Sequence, residues 1–100
     1  MKKLKLKQGN YGFKLQFTIT EADDTPKDLS DLIAYLKIWK GDSLQKIACS
    51  IADTANGVVE CIVSSGLFDE TGIYLAEIEL QGANYVEDTE TFVIEVVESK

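Results

Sequence analysis

Apolar side chains recur at every second position over most of this chain, and a period of two is the signature of strands with one face in a core. Phe13, Leu15, Phe17 and Ile19 alternate with Lys14, Gln16 and Thr18. Ile47, Cys49 and Ile51 alternate with Ala48, Ser50 and Ala52, and Val59, Cys61 and Val63 follow in the same rhythm. Tyr74, Ala76, Ile78 and Leu80 are expected to point inward, with Glu77 and Glu79 outward. Phe92, Ile94 and Val96 share one face of a closing strand. Leu4 and Leu6 begin a short first strand, which puts Lys3, Lys5 and Lys7 together on its other face.

Turn residues punctuate this pattern every eight to twelve positions or so, the spacing of a sandwich or barrel. Gly9-Asn10 and Gly41-Asp42 close two strands, and Glu21 to Lys27, which holds Pro26, is polar and loop-like. Asp53-Thr54-Ala55-Asn56-Gly57 is the strongest hairpin signal, because Asn-Gly tolerates positive φ. Residues 32–39 are densely apolar, and Leu32, Leu36 and Trp39 also sit at helical spacing behind Ser30, a candidate N-cap. Their β-branched and aromatic content favours a central strand. Ser65 to Gly72 lacks alternation and reads as a short helical turn near residues 65–71, with Leu67 or Phe68 plugging the core. Tyr85 to Asp88 either starts the last strand or lies in a long hairpin loop. The expected fold is all-β: an immunoglobulin-like antiparallel β-sandwich of about seven strands, spanning residues 1–100 as one domain. Tyr74, two residues after Gly72, stands where a tyrosine corner would.

Composition narrows the chemistry. The chain has no histidine, hence none of the commonest general base or metal ligand. It carries no glycine-rich phosphate loop and no nucleophile–base pair, so neither an enzyme nor a cofactor is expected. Asp23-Asp24, Asp69-Glu70 and Glu87-Asp88 are adjacent acids without calcium-loop spacing and read as solvated loop charge, not as a metal site. Net charge is −7, which repels phosphate backbones and argues against nucleic acid as a partner. Residues 1–46 hold nine Lys and six acids, and residues 47–100 hold one Lys and eleven acids. If the first strand lies beside the last, Lys5 and Lys7 fall near Glu95, and the asymmetry becomes cross-strand pairing. The lysines of that strand would also discourage edge-to-edge aggregation. No run approaches the ~20 apolar residues of a membrane span, and no apolar segment marks a secretory signal. Synthesis in the cytoplasm is the expectation.

Cys49 and Cys61 are equidistant from Ala55, so the hairpin could set them side by side and a bond could form if geometry allowed. With no sign of export, the default is two buried reduced thiols acting as small hydrophobes. The candidate interface residues are aromatic. Trp39 closes the central strand, where a core position is the usual fate, and Tyr11 and Tyr85 lie near turns.

The order of segments resembles one family. "KDLSDLIAYLKIWKG" is followed by "DTANGVVECIV", "GLFDETGIYLAEIEL" and "ETFVIEVVES". This looks like the immunoglobulin-like N-terminal domain of phage baseplate upper proteins, from tailed phages and prophages of Gram-positive bacteria. The resemblance covers nearly the whole chain. Its most specific parts are Asp28-Leu29-Ser30, Asn56 to Val59, Leu67 to Glu77 and Phe92 to Val97. It implies a structural adaptor in the virion that links other tail and baseplate proteins, positions receptor-binding proteins for host attachment, and meets further copies through symmetric interfaces. It carries no catalytic residues over. Family members often continue into a longer C-terminal region than the stretch closed here by Lys100. The alternative is a carbohydrate- or cell-surface-binding module in which Tyr11, Trp39 or Tyr85 stacks on sugar rings.

Overall fold

The computed structural model describes residues 3–100, so Lys2 of the N-terminal lysine run lies outside the described residues. Eight strands form among them: β1 (Lys3–Lys7), β2 (Lys14–Thr18), β3 (Ile33–Lys40), β4 (Ser43–Asp53), β5 (Val58–Ile62), β6 (Gly72–Gly82), β7 (Tyr85–Asp88) and β8 (Phe92–Val97). Their order is β1-β8-β6-β3-β4-β5-β2, with β7 also paired to β6. All pairings are antiparallel except β1 with β8, which run parallel, so the sheet is mixed.

The long strand β4 explains the shape. Its first part, Ser43 to Cys49, pairs with β3, and its second part, Ser50 to Asp53, pairs with β5. A register shift between Ile51 and Asp53 marks a bulge, which bends and twists a strand locally. One continuous sheet therefore curls into a half-barrel instead of splitting into two separate antiparallel sheets. The alternating residues face inward as their period demands. Leu15 and Phe17, Leu36 and Ile38, Val59 and Cys61, Ile78 and Leu80, and Ile94 and Val96 are all buried. Phe17 and Phe92 meet across the core with ring centroids 5.2 Å apart.

Residues 32–39 are a strand, since their inward positions Ala34, Leu36 and Ile38 alternate strictly with exposed or half-exposed neighbours. Tyr85–Asp88 is a strand of its own, occupying the stretch of β6 edge beyond the reach of β8. That accounts for the eighth strand. The expected helical turn near residues 65–71 does not form. Gly66 takes φ +86°, outside the right-handed helical region, and the segment makes a single tight turn closed by the Leu67 amide donating to the Ser64 carbonyl. Leu67 and Phe68 plug the core from this turn, Phe68 standing edge-on to Tyr74 at 5.3 Å. Tyr74 in turn donates its hydroxyl to the Glu70 carbonyl at 3.2 Å, which ties the turn to the start of β6.

The opposite end is closed by Leu29, which is fully buried. Asp28 accepts hydrogen bonds from the Ser30 amide and hydroxyl, and the Leu29 amide donates to the Thr54 carbonyl. Asp28-Leu29-Ser30 is thus a plug with its own local turn. Cys49 and Cys61 are joined in a disulfide, which corrects the reading as reduced thiols. They directly oppose each other across β4 and β5 with Cα atoms 4.7 Å apart, the close spacing of a non-hydrogen-bonded antiparallel pair.

Candidate interface

The inner face of the curled sheet is filled, so the chain can meet partners through its outer face, its ends or its edges. The register of the strands defines the outer face row by row. Leu44 of β4 lies beside Trp39 of β3, Trp39 beside Leu75 of β6, and Leu75 beside Val93 of β8. Four apolar residues therefore form one continuous row across four strands, with exposed Ile73 one step further along β6. Leu44 is 63% exposed, while Trp39, Leu75 and Val93 are half-buried.

The next rows are charged. Lys37 lies beside Lys46 on one side and Glu77 on the other. Its ammonium contacts Glu77 at 3.2 Å, Asp88 at 2.9 Å and Glu79 at 3.6 Å, and Lys46 reaches Glu79 at 2.6 Å while lying 4.5 Å from the centroid of the Tyr35 ring. Hydrogen bonding to Asp88, then to Glu77, raises the Lys37 pKa against the opposing effect of burial. At the β1 edge Lys3 bonds Glu95 at 2.9 Å. The parallel register sets Lys5 beside Glu95, and the diagonal neighbour Lys3 makes the contact. Thus the excess of lysines in the first half and of acids in the second is met across strands.

Glu79 is the most enclosed acid, at 9% exposure. Hydrogen bonds from Lys46 and then from Gln81 hold its carboxyl below the ordinary value of 4.5, outweighing desolvation. A folded-state pKa below the unfolded one gives stability that is present above about pH 4.5 and is lost as pH falls through the lower folded value. Urea midpoints are accordingly expected to fall on acidification below 4.5. Glu79→Gln should cost about 1 kcal/mol at neutral pH and make that fall shallower. Some fall will remain, because Asp23, Asp28, Asp53, Glu87 and Glu95 are also held below their ordinary values by hydrogen bonds. Equal acid slopes for both proteins would show that Glu79 is not held in this way.

The three aromatic candidates do not converge. Trp39 is outward and half-buried, which corrects its usual fate as a core residue. Tyr11, 63% exposed, lies in the β1–β2 loop, whose Gly9 and Gly12 amides donate to Phe68 and Val63, so it belongs to the same end of the half-barrel as Trp39. Tyr85 begins β7 at the opposite end. Its hydroxyl donates to Glu87, and the Lys27 ammonium lies 5.5 Å from its ring centroid. Sequence reasoning missed Leu44, Leu75, Ile73 and Val93. The signal was present, since each occupies an outward position of an alternating strand yet is apolar.

Each end of the half-barrel holds a concavity. One, of about 460 Å³, is lined by Lys40, Gln45, Asp69, Glu70 and Tyr74, with Lys40 donating to Glu70 and to the Thr71 carbonyl. The other, of about 560 Å³, lies between Thr20, Lys27, Glu87 and Thr91. Among the described residues no group of three or more acidic or thiol side chains is arranged to hold a metal ion. The adjacent acids are engaged separately: Asp23 accepts from Thr25, Glu70 from Lys40, Glu87 from Tyr85 and Lys27, and Asp88 from Lys37.

No known family model matches the sequence, and no curated protein matches it. The fold is nevertheless shared. The N-terminal domain of phage TP901-1 ORF48 superimposes with a TM-score of 0.76, over 93% of this chain and 82% of that chain, at 18% sequence identity.

Proposed function

We propose that this chain is a structural assembly domain of a phage tail, placed at the baseplate, where it docks other tail proteins and helps to position receptor-binding proteins for host attachment. The carrying observation is the fold it shares with the N-terminal domain of a phage protein, phage TP901-1 ORF48. The segment order that resembles baseplate upper proteins supports the same reading. The Tyr74–Glu70 hydrogen bond, placed like a tyrosine corner, supports an immunoglobulin-like description of the domain. On this reading the chain works by binding, without catalysis or cofactor, and resides in the virion.

The test is capture on the immobilised domain from lysate of phage-producing Gram-positive cells, with mass spectrometry, followed by antibody labelling of purified virions in the electron microscope. Recovery of tail proteins and label at the tail tip is the expected result. Recovery of wall polysaccharide with no phage protein, and unlabelled virions, would replace this reading with the carbohydrate-binding one.

A further inference from the structure

We propose that the outer face of the β4-β3-β6-β8 surface binds a second copy of this chain, in a two-fold symmetric dimer. This goes beyond the tail-assembly reading and holds whether or not the chain serves a phage.

The argument rests on self-complementarity. In a two-fold dimer the same patch meets itself, so residue i of one copy faces residue j of the other, and j faces i. When two sheets pack face to face with strands aligned, the axis lies in the interface. Let it run parallel to the strands, between β3 and β6. The position on β3 then faces the position on β6, and β4 faces β8. The apolar row maps onto itself, Trp39 against Leu75 and Leu44 against Val93. The adjoining charged row also maps onto itself with opposite signs, Lys37 of one copy against Glu77 of the other. Had β3 and β6 carried the same sign in that row, the same axis would have set like charges in contact.

The face has few competing functions. Its apolar row lies outside the core, and Leu44 is 63% exposed. One outward row crosses all four strands and the rows beside it cross two or three, which at the usual spacings presents about 400 Å² of face on each copy, in the size range of weak, transient interfaces. The dimer is therefore expected to be of the micromolar class.

Sedimentation velocity of the whole chain over a concentration series up to about 1 mM tests this. The expected result is reversible conversion from a species of 11.1 kDa to one of twice that mass. Leu44→Lys, a change at an exposed position that leaves the core untouched, should weaken the dimer at least about tenfold. Lys37→Glu and Glu77→Lys should each be monomeric alone. Mixed one to one, they should form a heterodimer, because the first variant is acidic at both positions 37 and 77 and the second is basic at both, so opposite charges meet at each contact. Circular dichroism melts confirm that each variant is folded. A wild-type chain monomeric throughout the series overturns the proposal. So does a dimer that Leu44→Lys leaves intact, or a mixture of folded charge variants that stays monomeric.

Discussion

Gly57→Ala is expected to cost about 3–4 kcal/mol, a large part of the 5–15 kcal/mol that a domain of this size has to lose. Gly57 sits at φ +71°, where an L side chain costs about 1–2 kcal/mol. The larger cause is space. A Cβ at this position would lie 2.4 Å from the Ile19 carbonyl oxygen and 2.9 Å from that of Lys27, and both are backbone atoms that cannot swing aside. Relief requires the chain to move where it is doubly bonded. The Ile19 amide donates to the Gly57 carbonyl at 2.8 Å, and the Lys27 amide donates to the Ile19 carbonyl at 3.0 Å. Losing or stretching both adds about 1 kcal/mol each. Gly41→Ala supplies the control. Gly41 has a similar φ of +61° with nothing within 4 Å, so only the conformational cost of about 1–2 kcal/mol applies there. Urea denaturation of the two variants separates the contributions. Equal costs would show that the loop from Ile19 to Lys27 does not pack on Gly57.

The turn at Gly57 also shows what the sequence does and does not reveal. Asn56-Gly57 is legible as a hairpin because its chemistry is local: Asp53 accepts hydrogen bonds from the Asn56 amide and side chain, and glycine supplies the positive φ. The close approach of Ile19 is not legible, since it depends on a segment 38 positions upstream whose path is set by β2 pairing with β5. The same division holds elsewhere. Alternation specifies which side of each strand is buried, and it does so correctly for β2, β6 and β8; in the densely apolar β3 it does not, and Trp39 faces outward there. It carries no information on which strands are neighbours, so the parallel pairing of β1 and the shared role of β4 emerge only in three dimensions. The segment from Ser65 to Gly72 misleads because a run without alternation is compatible with helix or with irregular chain, and the φ of Gly66 decides between them. For the outer face, outward leucines at positions 44 and 75 are readable singly. That they form one row with Trp39 and Val93 requires the register.

Reduction of the Cys49–Cys61 bond is expected to lower stability by about 3 kcal/mol, the chain-entropy value for a crosslink between residues 12 apart. At roughly 4–8 °C per kcal/mol for a chain of this length, the melting temperature should drop by about 12–24 °C. Position makes this bond more than a generic staple. Cys49 is the last residue of β4 paired to β3, where it lies beside Ala34, and Ser50 is the first paired to β5. Hydrogen bonding passes from one half of the sheet to the other through this strand, and the bulge that follows interrupts the ladder within three residues. The crosslink therefore holds the strand at its point of transfer. Its loss should be felt first between Ser50 and Asp53, where amide hydrogen exchange is expected to accelerate before the core of β6 opens. Melting with and without a phosphine reductant, with the Cys49→Ala/Cys61→Ala double variant alongside, provides the measurement. The wild type should melt lower in reductant, and the double variant should melt low in both conditions. A wild-type melt indifferent to reductant, with both thiols shown by labelling to be free, would mean that packing of Cys61 in the core and the β4–β5 ladder hold this junction without the covalent bond.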